Sequence, residues 1–176
     1  TDVEVLNAAV DGSAFILEDN NIELGVVEAD LFAGEHFALH SGGTITLGDL
    51  DVTDGRATLI AADAIQDAQA DHVTDITGAE VYLRSANGIG NLRDVELSSP
   101  KITANTTGLG AASIELINDT SVDAAVQMWT FGTDADITFD QIGGGNVSFE
   151  DVHTNEGDIA LTADDGDIFA VKVEAQ

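Results

Sequence analysis

A short triplet of apolar, variable and apolar residues recurs between turn-forming clusters along almost the whole chain. The series runs Phe15-Ile16-Leu17, Phe37-Ala38-Leu39, Ala57-Thr58-Leu59, Val81-Tyr82-Leu83, Ile114-Glu115-Leu116, Ile137-Thr138-Phe139 and Ile159-Ala160-Leu161. A second set, Val3-Glu4-Val5, Ile22-Glu23-Leu24, Ile45-Thr46-Leu47 and Val147-Ser148-Phe149, opens most of the repeating units. Alternation with a period of two belongs to strands with one buried face. The triplets are too short for helices, and the Gly, Asn and Asp clusters between them supply turns. Weaker middle strands are expected at 50–52 and 95–97.

Cut at these triplets, the chain falls into units that begin at residues 3, 22, 45, 65, 89, 122, 147 and 168. The units run a little over twenty residues, with one irregular longer coil at 89–121. That length is typical of a solenoid coil. One coil cannot bury its own apolar face, but coils stacked about 4.7–4.9 Å apart pair strand on strand and enclose a continuous core. The expectation is an all-β chain, 1–176 forming a single β-solenoid domain of about seven to eight coils, its triplets stacked into Ile, Val, Leu and Phe ladders. A β-sandwich also has many short strands, yet nothing requires them to resemble one another.

Charge restricts the partners. Thirty-three Asp and Glu against five Lys and Arg give a net charge of -28, which repels nucleic acid and anionic lipid and attracts cations. The chain has no Cys, so it has no disulfide and no thiolate metal site. No run approaches the roughly 18–20 apolar residues of a membrane span, so neither nucleic-acid binding nor membrane insertion is expected. The opening "TDVEVLNAAVDG" has no basic start followed by an apolar run, so it does not read as a signal peptide.

The stretches "ITLGDLDVTDGRATLIAADAIQDAQADHVTDITGAEVYLRSANGIGNL" and "VELSSPKITANTTGLGAASIELIND" resemble the degenerate repeats of giant secreted bacterial exoproteins and adhesins of the filamentous-haemagglutinin type. That resemblance implies a right-handed parallel β-helix, an extracellular or cell-surface setting, and a shaft rather than a secretion or receptor-binding module. It transfers no functional residue, because the matching positions are core and turn.

The candidate sites yield no catalytic, cofactor-binding or metal-ligating assignment. Acidic turns at 51–56, 133–140 and 164–167 suit weak Ca²⁺ association, but the chain lacks both an EF-hand loop and the Gly-Gly-x-Gly-x-Asp pattern. His36 and His40 share a strand face about 13 Å apart, too far to hold one ion. His72 and His153 are expected in turns. The bases Arg56, Arg84, Arg93, Lys101 and Lys172 show no clustering by repeat position, and no catalytic constellation accompanies the carboxylates, so the chain reads as a non-enzyme. Pro100 belongs at a turn. In the Met128–Phe131 stretch, alternation sets Met128 against Trp129 and Phe131, which fits a wider core or a lateral contact patch. Neither end reads as capped.

The function expected is an extracellular structural or adhesive shaft. Its partners would be copies of itself end to end or flanking repeats of a longer chain, with cell-surface or matrix components as further candidates. The alternative is a carbohydrate-binding or carbohydrate-processing β-helix.

Overall fold

The computed structural model describes residues 3–69 and 71–176. Its sixteen strands are β1 (Val5–Asp11), β2 (Ala14–Glu18), β3 (Ile22–Asp30), β4 (His36–Ser41), β5 (Ile45–Ala61), β6 (Ile65–Asp67), β7 (Ile76–Ser85) and β8 (Val95–Ser98). They continue with β9 (Lys101–Thr106), β10 (Ile114–Asp119), β11 (Ala124–Thr130), β12 (Ile137–Ile142), β13 (Val147–Thr154), β14 (Ile159–Ala163), β15 (Ile168–Ala170) and β16 (Val173–Ala175). Every pairing is parallel and joins one coil to the next, as in β3 with β5, β7 with β9 and β11 with β13. The chain is a β-solenoid of about seven turns, roughly 35 Å long at the spacing of paired strands.

The register explains why these residues form these coils. Ile22, Ile45, Ile65, Ile89, Ile114, Ile137 and Ile159 stack in one ladder, each the Cα partner of the next. On another face Phe37, Ala57, Val81, Ile102, Val126 and Phe149 form a second ladder, and Leu39, Leu59, Leu83, Ala104, Met128 and Val152 a third. All the members of these last two ladders are buried. The middle strands expected at 50–52 and 95–97 are present within β5 and β8. β5 is long because it runs around a corner, with its register to β7 shifting between Val52 and Arg56.

Two expectations change with this register. Ile89 pairs with Ile114, and Ile114 with Ile137. The coil from Ile89 therefore closes before Ile114, and the stretch 89–121 holds one ordinary coil plus the first strand of the next. Boundaries placed at 122, 147 and 168 fall on a different face from those at 22, 45, 65 and 89. The triplet is written alike on both faces, so a reading by pattern slipped from one to the other. The first triplet is also inverted. Ala14, Ile16 and Glu18 stand over Phe37, Leu39 and Ser41, which turns Phe15 and Leu17 outward at 75% and 79% exposure.

Several polar side chains inside the coil find their partners at turns and corners. Thr106 donates to the Ala112 carbonyl at 2.7 Å, and Thr130 and Thr154 share that of Ala135 at 3.0 and 2.8 Å. At a corner, the Asn118 amide donates to the Ser99 carbonyl at 3.0 Å and to the Gln141 side chain at 2.9 Å, and all three residues are buried. Pro100 sits between β8 and β9, where no ladder donor is needed. The segment after it adds β9 in register with β7 and β11.

Close stacking demands glycine at Gly90. Its φ is +72°, and a Cβ there would lie 2.0 Å from the Glu115 carbonyl oxygen in the next coil. Both that backbone conformation and that contact penalise a side chain. Gly90→Ala is expected to cost about 2–3 kcal/mol, measured as a lowered urea midpoint. An unchanged midpoint would mean that the coils are not packed this tightly.

Candidate functional site

A regular coil would place a leucine after Ile65. Leu24 and Leu47 hold that position in the two preceding coils, and the Cα partner of Leu47 is Asp67. After Asp67 the coil departs from its neighbours. Leu50 follows Leu47 closely, but its partner Ile76 lies nine positions beyond Asp67, so a loop is inserted at this corner. Asp75 closes the loop, and Glu96 comes from β8 in the following coil.

Asp67, Asp75 and Glu96 are 3%, 2% and 6% exposed, and one oxygen from each lies within 4.8 Å of the others. Backbone groups fix their positions. The Asp75 N–H donates to the Glu96 carbonyl at 2.8 Å, and the Glu96 N–H donates back to Asp75 Oδ2 at 2.9 Å. Asp67 Oδ1 accepts the Gln69 N–H at 2.8 Å. Arg93 donates from outside to the carbonyl oxygens of Asp67 and Ala68. Asp67 Oδ2 and Glu96 Oε2 are buried with no hydrogen-bond partner.

Three carboxyls so close cannot all ionise at ordinary cost. Burial pushes Asp75 up to about 10; the Glu96 N–H opposes this and the Asp67 carboxyl adds to it. Burial also raises Glu96, against a lowering by its hydrogen bond with Asp75. His72, at the loop surface with a φ of 60°, brings Nδ1 to 3.6 Å from Glu96 Oε1. Beside the cluster opens a groove of about 270 Å³, whose lining includes Glu23, Asp49, Asp67, Asp71 and Asp75.

Of the residues singled out from sequence, His72 and Arg93 border this cluster, and the others lie elsewhere. His36 and His40 sit on the outer side of β4 with Phe37 and Leu39 inward, His36 half-buried and His40 exposed. His72 is in a loop, whereas His153 lies in β13 with its ring 5.8 Å from Phe131 and 6.4 Å from Trp129. Strand alternation therefore governs His153, not a turn. Met128 is fully buried and Phe131 is 44% exposed. Asp134 and Asp165, in two of the acidic turns, adopt positive φ at the surface. Among the described residues only Asp67, Asp75 and Glu96 converge closely enough to share an ion.

Four of the five bases share one face, while Arg93 lies at the acidic corner. Arg56, Arg84 and Lys101 lie on the strands of a single face, and Lys172 joins them between β15 and β16, 3.0 Å from Asp151. Glu80 sits between Arg56 and Lys101, at 4.0 and 3.1 Å, and the Arg56 guanidinium lies 5.6 Å from the centre of the Tyr82 ring. Their spacing in sequence hides this, because each stands on a different coil.

Comparison with known proteins finds no matching family model, no matching curated protein and no matching solved structure. The class rests on the fold itself, a parallel β-solenoid.

Proposed function

We propose that the chain is a structural shaft, extended coil on coil at both ends and serving an extracellular or cell-surface adhesive fibre. One observation carries the reading: the interior ladders run to the end coils and stop uncovered. Leu6, Ala8, Val10, Ala14 and Ile16 in the first coil are only partly buried, as are Ile159 and Leu161 in the last. Ile168 and Val173 are 45% and 39% exposed, although their partners Val147 and Val152 are fully buried. Bare apolar cross-sections with unpaired strand edges accept another coil, from flanking repeats or a second copy. The likeness of the repeats to adhesin shafts supports the setting, and the charge of -28 keeps rods apart side by side.

The test is sedimentation and electron microscopy of the purified chain across concentration and salt. Rods growing in steps of about 35 Å, favoured above the low salt at which like charges repel, are the expected result. Ile16→Lys combined with Val173→Lys should hold the chain as single units. Single units of the wild-type chain under every condition would overturn the reading.

A further inference from the structure

We infer that Asp67, Asp75 and Glu96 form a binding site for one hard divalent cation of the Ca²⁺ type. Two features of the structure converge on it. Asp67 occupies a position that leucine holds in the preceding coils, so a carboxylate stands where the ladder calls for an apolar side chain. Asp67 Oδ2 and Glu96 Oε2 have no hydrogen-bond partner although their residues are more than nine-tenths buried. A buried carboxylate oxygen without a donor is costly, and a cation shared by both is the partner that the donor set fits.

The chemistry of the donors selects the ion. All three ligands are carboxylate oxygens held within 4.8 Å, a set that suits Ca²⁺, Mg²⁺ or Mn²⁺ and not thiophilic metals. Backbone bonds to Asp75 Oδ2 and Asp67 Oδ1 orient two of the ligands in advance, and outer hydrogen bonds of this kind tune metal sites. The groove carrying Glu23, Asp49 and Asp71 gives an acidic path from solvent to Asp67 and Asp75. It also leaves room for the waters that complete six to eight oxygens around Ca²⁺.

The experiment is a thermal melt and a calorimetric titration of the chelator-treated chain in 150 mM NaCl, with Ca²⁺ and Mg²⁺ as separate arms. The expected result is one high-affinity ion per chain and a Tm raised by about 5 °C at a hundredfold excess over Kd. Asp67→Leu restores the ladder and should fold without the ion, with the Ca²⁺ response lost. The near-isosteric Glu96→Gln should weaken binding at least tenfold, while Asp134→Asn at an exposed turn should leave it unchanged. An equal Ca²⁺ response in wild type and both site variants would assign the effect to diffuse surface charge and overturn the site. No response in the wild type would overturn it too, leaving shared protons to neutralise the cluster.

Discussion

Phe139→Ala is expected to lower stability by about 3–5 kcal/mol, the range for emptying a large aromatic site in a packed core. Phe139 is fully buried and meets Phe149 edge to face, ring centres 5.4 Å apart at 88°. Above and below it in the ladder lie Leu116 and Leu161. The coils on either side are pinned by backbone pairing at strand spacing. They cannot collapse into the space left behind, which puts the cost toward the upper end. Chemical denaturation with a common m-value measures it. Phe131→Ala removes a ring that is 44% exposed and should cost under about 1 kcal/mol. Equal losses for the two would mean that the interior is not the ladder described above.

Alkaline destabilisation in the presence of chelator is the second large effect. Asp75 is raised from 3.8 to about 10, so the folded chain holds a proton that the unfolded chain releases above the ordinary carboxylate range. The contribution is fully present below that range and is lost as pH rises toward about 10. For one proton the slope is about 1.4 kcal/mol per pH unit. Asp75→Asn keeps the shape without the ionisation, so its stability relative to wild type should grow steadily between pH 6 and 9. Parallel pH profiles for the two proteins would contradict the burial and crowding assigned to this carboxyl.

The fold was legible because period-two alternation and repeat length are enforced by the same stacking that builds the core. Isoleucines at 22, 45, 65 and 89 mark one ladder directly in the sequence. The phase between faces was not legible. Ile114-Glu115-Leu116 and Val81-Tyr82-Leu83 look alike as text, yet they sit on different sides of the coil. Phe15 and Leu17 misled for a related reason: their triplet also reads as Ala14-x-Ile16, and only the pairing with β4 decides between the phases.

The acidic cluster was missed although one signal was present. Aligning Ile45-Thr46-Leu47 with Ile65-Gln66-Asp67 exposes an Asp at a core position, and a buried acid requires a partner. Glu96 gave no such sign. Asp75 and His72 of the inserted loop meet it, and that contact is not written in the local pattern. The alignment of Arg56, Arg84 and Lys101 on one face likewise needs the register, since each belongs to a separate coil.

The parallel register underlies every step above, and engineered cysteines test it most directly in a chain that has none of its own. Thr46 and Gln66 are Cα partners on adjacent coils and are both partly exposed, at a spacing that a disulfide can bridge. Thr46→Cys with Gln66→Cys should form an intramolecular disulfide under mild oxidation and keep the native strand signal. Thr46→Cys with Thr138→Cys, on the same face but several coils away, should stay reduced within the chain. Failure of the first pair to close while the folded signal persists, or closure of the second, would contradict the stacked solenoid.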